Sequence, residues 1–313
     1  MTLRAVSGRP AAQFPRGAPV LGWLDDNLIT MVDGVAFGVL LFTIALGLSL
    51  VFGVMDVLNL AHGALYLGGA YVADSLVGGS ATVLSFVLAA LAAVVLGALA
   101  GAGLAVVTRP VASRGHLDQA LLTLGIAFVV AELYSEHYGN DVRSVSAPTV
   151  LDGSVSLFGH QYPAYRLVVA GVGLVLALGA YLIIERTRVG ALVQAGVADP
   201  QMVRALGVNT GRLVTGVFAA GAALAALGGV LGAPILSAAP GLDIRVLILG
   251  LVVVVIGGLG SVSGALVGAL LIGQVETLGV SLLPTYASFL TFGTMALVLL
   301  LRPAGILNSG RAA

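Results

Sequence analysis

Apolar residues run along this chain in long unbroken stretches separated by short polar intervals. The stretches fall at about 34–54, 57–74, 81–107, 118–134, 166–184, 213–236, 244–258, 262–281 and 285–301. Most approach the roughly 20 apolar residues a helix needs to cross a bilayer core of about 30 Å. A membrane β-barrel would show short alternating segments, because lipid-facing and lumen-facing positions alternate along each strand. The pattern therefore predicts an all-α integral membrane protein, a polytopic bundle of about 8–9 transmembrane helices. The count depends on whether 244–281 is one broken element or two.

The polar intervals set the organisation. Residues 1–20 hold Arg4, Arg9 and Arg16 with Pro10, Pro15 and Pro19. They read as a tail and not a signal peptide, since no compact apolar core precedes a small-residue cleavage site. Residues 21–33 read as a short interfacial helix with Trp23 near the headgroups. Domain boundaries follow at 1–30 for the tail and interfacial helix, 31–305 for a single transmembrane domain, and 306–313 for a C-terminal tail. Arginine in short loops marks the cytoplasmic side. The 185–212 loop carries Arg186, Arg188, Arg204 and Arg212; the 108–117 loop carries Arg109 and Arg114; the C-terminal tail carries Arg302 and Arg311. The 135–165 loop has only Arg143, beside Glu136, Asp141 and Asp152. Nine spans satisfy all four placements and put the N-terminus outside. The three arginines of the tail oppose that side, and Asp25, Asp26 and Asp33 offset them.

Composition sharpens the class. The chain of 313 residues is 59% hydrophobic and 9% charged, against roughly 25% charged in soluble domains. All basic residues are arginine. A phosphate-binding P-loop needs a lysine, so none is present, and Schiff-base cofactors are excluded for the same reason. With no cysteine, thiol catalysis and thiolate metal sites are excluded. Net charge is zero, which gives no sign of nucleic-acid binding. No His/Asp/Glu spacing matches a metal site, and no Ser/His/Asp arrangement suggests a nucleophile. Neither a catalytic residue nor a cofactor is expected. The 44 glycines fit close helix packing in a bilayer.

One loop segment, "ADPQMVRALGVNTGR" at 198–212, has the marks of a short bounded helix. Asp199 is a good N-cap, Pro200 falls at the first helical position, and Gly207 falls where a helix ends in the left-handed conformation. Between the caps lie Gln201, Met202, Val203, Arg204 and Leu206. Met202, Val203 and Leu206 form a small apolar set outside the bilayer. That suits a partner protein or a helix lying on the lipid surface.

Polar side chains at membrane depth are functional candidates. Asp56, Asn59 and His62 cluster among Gly53, Gly63, Gly68 and Gly69. On a helix, Asn59 and His62 would share a face. The cluster is either a polar-lined path or gate, or a turn that caps the next span with Asp56. Gly257, Gly258, Gly260, Ser261, Ser263 and Gly264 interrupt a later apolar run. They form either a broken helix lining a substrate site or a tight turn. "GALYLGGA" (63–70) and "GALVGALL" (264–271) are alike and hint weakly at an internal repeat. Glu276 and Glu132 read as ordinary solvated ends, Thr123 as undecided, and His116, His137 and His160 as loop residues.

Four ordered segments then show a resemblance. "GLSLVFGVMDVLNLAHGALYLGGAYVA" (47–73), "ERTRVGALVQAGVADPQMVRALGVNTGRL" (185–213), "VVIGGLGSVSGALVGALLIGQVETL" (254–278) and "LLRPAGIL" (300–307) resemble bacterial branched-chain amino acid ABC permeases of the LivH/LivM family, closer to the LivH type. Two departures stand out: proline follows Asp199 where a charged residue is more usual, and Ala64 follows His62-Gly63 where many LivH-like members carry an acid. The resemblance implies that the 198–212 helix is a coupling helix that docks on a cytoplasmic ATPase. It further implies a permease subunit of an ABC importer for branched-chain amino acids or related small polar solutes. The implied partners are two cytoplasmic ATPase subunits, a homologous second permease or a second copy of this chain, an extracytoplasmic binding protein and the bilayer. The site is the bacterial cell membrane, with alternating access driven by ATP hydrolysis elsewhere. The alternatives are a stand-alone secondary transporter or channel, and an intramembrane enzyme, for which no acid/base pair is apparent.

Overall fold

The computed structural model describes residues 20–55, 59–78, 81–111, 114–157, 159–198 and 200–307. Most of the expected N-terminal tail, Asp56, Asp199 and residues 308–313 lie outside the described residues. Helix α1 spans Val20–Met55 without a break. The expected separation of an interfacial helix at 21–33 from a span at 34–54 is therefore overturned. No proline falls between Val20 and Met55, and each further helical residue adds one hydrogen bond to a helix already nucleated.

The remaining membrane helices are α2 (His62–Val77), α3 (Val83–Thr108), α4 (His116–Tyr138), α5 (Ala164–Arg186), α8 (Thr210–Leu236), α9 (Leu242–Gly257), α10 (Val262–Leu282) and α11 (Ala287–Leu301). Two further helices, α6 (Arg188–Ala198) and α7 (Pro200–Ala205), fill the long arginine-rich interval. A hairpin of β1 (Ser154–Leu157) and β2 (His160–Pro163) precedes α5. Among the described residues seven helices are long and apolar enough to cross a membrane. Helices α2 and α9 are not: each has 16 residues, about 24 Å at 1.5 Å per residue. The 244–281 region is two helices, α9 and α10. His116 opens α4, His137 lies in its last turn, and His160 opens β2, so none of the three is a plain loop residue.

Helix α1 forms the axis of the bundle. Leu40, Leu41, Phe42, Ala45, Leu46 and Leu48 point in all directions around it and are fully buried, as expected of a helix that is apolar on every face. Helices α8, α10, α5 and α9 pack around α1, and α2 and α3 pack on α8. Small residues permit this. A Cβ on Gly97 of α3 would lie 2.8 Å from the carbonyl oxygen of Ala222 in α8, so the two backbones approach as in other membrane helix pairs. The outward faces of α3, α4, α5 and α11 expose Leu91, Val129, Leu178 and Leu300. Lipid tails are as apolar as these side chains, so exposure there carries no penalty.

Contacts between loops sort the helix ends into two groups. At one end Arg143 pairs with Ala238 through backbone and with Asp74 at 3.0 Å, Thr149 N–H donates to the Ala81 carbonyl, and Arg166 pairs with Asp33. At the other, Arg109 donates to Thr215 Oγ1 at 2.8 Å and Ile306 N–H to the Ile256 carbonyl at 2.9 Å. This second end carries Arg109, Arg114, Arg186, Arg188, Arg204, Arg212 and Arg302, the arginines that the charge rule expects on the cytoplasmic side. The start of α1 belongs to the opposite, acid-rich end. All four loop placements expected from arginine hold together in this arrangement.

Candidate translocation path and docking surface

His62 opens α2 and is fully buried. Its Nε2 lies 3.2 Å from the Ile44 carbonyl oxygen. A carbonyl only accepts, so Nε2 carries the proton and donates across to α1. Nδ1 is left without a hydrogen-bond partner among the described residues. The ring fits because position 47 is glycine: a Cβ there would lie 2.9 Å from His62 Cε1. Asn59 is not on a helix, which corrects the expectation that it shares a helical face with His62. Its Oδ1 accepts from Ala61 N–H at 3.1 Å and its carbonyl accepts from His62 N–H at 3.2 Å. This short polar turn competes with helix formation, and α2 begins at His62. Thr123 is decided by the same turn: it is buried, and its Oγ1 accepts from Leu60 N–H at 3.1 Å. Gly63 rests on the backbone carbonyl of Asp243.

The second group is the α9–α10 break. Gly258 has φ 98° and Gly260 φ 76°, a left-handed region open chiefly to glycine. Gly257 packs on Gly264 across the break. Ser261 caps α10, its Oγ accepting from Gly264 N–H at 3.0 Å. The break is thus a tight capped turn. The two groups do not meet. Gly63 touches the first turn of α9, while Gly257 ends that helix, about 21 Å away along its axis. "GALYLGGA" and "GALVGALL" each lie at the start of a helix that follows a break, α2 and α10.

At the arginine-rich end α7 runs Pro200–Ala205. Its C-terminus is closed as the sequence indicates: Gly207 has φ 82°, its N–H donates to the Arg204 carbonyl at 2.9 Å, and Val208 N–H donates to the Val203 carbonyl at 3.2 Å. These paired bonds form a Schellman end. Met202 and Leu206 are exposed, at 60% and 73%. Val203 is buried, at 3%, which corrects its placement in an outward apolar set. A six-residue helix cannot stand free, so one apolar side chain turns inward to hold it. Arg204 is exposed and donates from Nε to Thr210 Oγ1 at 3.0 Å. Helix α6 adds exposed Val189 and Leu192.

A charged cavity at the outer end was not anticipated as a unit. It has a volume of about 460 Å³ and is lined by Asp33, Tyr162, Arg166, Arg245 and Glu276 among apolar side chains. Asp33 accepts from Tyr162 Oη at 2.9 Å and from Arg166 Nη1. Burial raises the Tyr162 phenol above its ordinary value, and the Asp33 charge adds to this. Glu276 is half-buried, accepts from Thr291 Oγ1 at 2.7 Å, and faces Arg245 at 3.9 Å. It is therefore not the plain solvated end that the sequence suggested. The available signal was a charge embedded in each of four apolar helices, α1, α5, α9 and α10. Among the described residues no cluster fit for a metal occurs.

Residues 30–299 match the family described as the branched-chain amino acid transport system, permease component. The chain belongs to that family. A high-affinity branched-chain amino acid transport system permease protein, BraD of Pseudomonas aeruginosa, is 29% identical over 292 residues, covering 89% of this chain and 94% of that protein. LivH of Escherichia coli, with the same descriptive name, is 29% identical over the same shares. A probable LivH permease of Methanocaldococcus jannaschii is 28% identical over 283 residues, covering 88% of this chain and 86% of that protein. No solved structure gives a significant match. The permease is thus a multi-pass membrane protein.

Proposed function

We propose that this permease is the membrane-spanning subunit of an ABC importer for branched-chain amino acids or related small polar solutes. The observation that carries the proposal is α7: a capped peg on the arginine-rich face, anchored by buried Val203 and presenting exposed Met202 and Leu206. A stand-alone carrier has no use for such an element. A rigid helix transmits movement from a partner, and exposed apolar side chains fill a partner's groove. The chain has no lysine for a phosphate loop, so ATP hydrolysis belongs to separate subunits.

In this scheme two ATPase subunits engage the 185–212 segment of two permeases, this chain and a homologous partner or second copy. An extracytoplasmic binding protein delivers substrate to the acid-rich face. Asp199, Pro200, Gln201, Met202, Arg204, Leu206 and Gly207 supply or shape the docking surface, and Val203 anchors it. Asn59, His62 and Gly63 form one gate element. Gly257, Gly258, Gly260 and Ser261 form a second, separate one. His62, fully buried against α1, fits a closed gate.

The test is gentle-detergent purification of the tagged chain from its native cells with mass spectrometry of what accompanies it. ATPases and a related permease are expected. Met202→Glu with Leu206→Glu should remove the ATPases at unchanged thermal stability. A chain that purifies alone even after crosslinking overturns the proposal.

A further inference from the structure

We propose that the outer cavity binds the zwitterionic head group of an α-amino acid, Arg245 taking its carboxylate and Glu276 its ammonium, with an aliphatic side chain against the apolar wall. The inference rests on the importer reading above and gives it a substrate contact within this chain.

The two charged pairs in the cavity differ. Asp33 and Arg166 are closed on each other, and Tyr162 occupies the same carboxylate oxygen. That pair is a finished structural link between α1, β2 and α5. Arg245 and Glu276 are open. Their closest atoms are 3.9 Å apart, beyond hydrogen-bond reach. The Arg245 guanidinium makes no hydrogen bond to another described residue, and its side chain is 63% exposed against 17% for Glu276. Glu276 is held from behind, where Oε2 accepts from Thr291, so Oε1 is the oxygen left toward Arg245.

A guanidinium with free donors recognises a carboxylate in bidentate fashion. A carboxylate oxygen with a free lone pair recognises an ammonium. Both occur side by side, so one molecule carrying both groups on a single carbon satisfies them together. A ligand with only one of the groups leaves the opposite charge desolvated and unpaired. The two arginines and two acids balance, so a net-neutral zwitterion enters without leaving excess charge. Phe37, Ile235, Leu236 and Val280 supply the apolar wall, and about 460 Å³ lies within the range of small-molecule sites.

The experiment exploits the absence of cysteine. Ser281 is exposed on the cavity wall. In the assembled complex, Ser281→Cys is modified with a cationic methanethiosulfonate, and the rate is read with and without excess L-leucine. Leucine should slow modification severalfold. 4-Methylpentanoate and 3-methylbutylamine, which each lack one head group, should not. Arg245→Gln and Glu276→Gln should each remove leucine protection. Val280→Cys, at another wall position, replaces Ser281→Cys if that variant does not assemble. Equal rates with and without leucine, or equal protection by all three compounds, overturn the site. ATP-dependent leucine uptake by the same complex with its binding protein is measured in parallel. Uptake without protection sinks this site alone, whereas absent uptake and absent ATPases sink the importer reading itself.

Discussion

Gly63, the second residue of α2, rests directly on the backbone carbonyl of Asp243 in the first turn of α9. The two helices too short to span the bilayer therefore meet N-terminus to N-terminus inside the bundle. Leu247 closes the contact, its Cβ falling 3.0 Å from where a Cβ on Gly63 would lie. A single methyl there must displace backbone, which a packed interior resists. Gly63→Ala is expected to destabilise the permease by about 1–3 kcal/mol. A lowered thermal midpoint in detergent checks this, and an unchanged midpoint would show that the two helices separate freely.

The α7 end offers a local prediction. Alanine at Gly207 must adopt φ 82°, which a Cβ disfavours by about 1 kcal/mol. The two Schellman bonds should open more often while the membrane helices stay intact. Hydrogen exchange of Gly207→Ala should therefore quicken over residues 200–208 and remain unchanged in α1 and α8. Less ATPase should co-purify with the variant.

Ser261 is the cap of α10, and its hydroxyl satisfies a backbone donor that has no helical partner. Ser261→Ala should cost about 1 kcal/mol, whereas Ser261→Thr should retain most of the cap. Comparing the two variants by thermal unfolding separates the cap from simple loss of volume.

Tyr162 lies in β2, outside the spans, with its phenol raised by burial and by Asp33. The folded state thus holds this proton more tightly than the unfolded state, whose value is near 10.0. The stability linked to it is fully present below about pH 10 and is lost as pH rises from there through the folded value. Tyr162→Phe should be less stable than the parent at neutral pH, because the bond to Asp33 is gone. Its stability should then fall less steeply above about pH 10. Parallel curves in that range would show that Tyr162 does not titrate with unfolding.

The membrane class, the long helices, the two-sided distribution of arginine and the Pro200-to-Gly207 bounds of α7 were legible in the sequence. Each depends on local properties: apolar length against bilayer thickness, loop charge, and the backbone demands of proline and glycine. Where local signals conflicted, packing prevailed. Asp33 looked like part of a polar interfacial segment, yet Tyr162 and Arg166 satisfy it and α1 runs on unbroken. Asn59 had the spacing of a helix face, yet its side chain closes a turn on Ala61.

By itself, then, the sequence determined that this chain crosses a membrane many times, that its arginines gather in particular loops, and where the peg starts and stops. Only the tertiary structure decided that Val203 turns inward, that the two glycine-rich breaks lie at different places, and that Arg245 and Glu276, thirty-one positions apart in the sequence, face one cavity. The physical reason is that burial, close backbone approach and charge pairing depend on which helices become neighbours. In a bundle apolar on nearly every face, hydrophobic periodicity does not specify that.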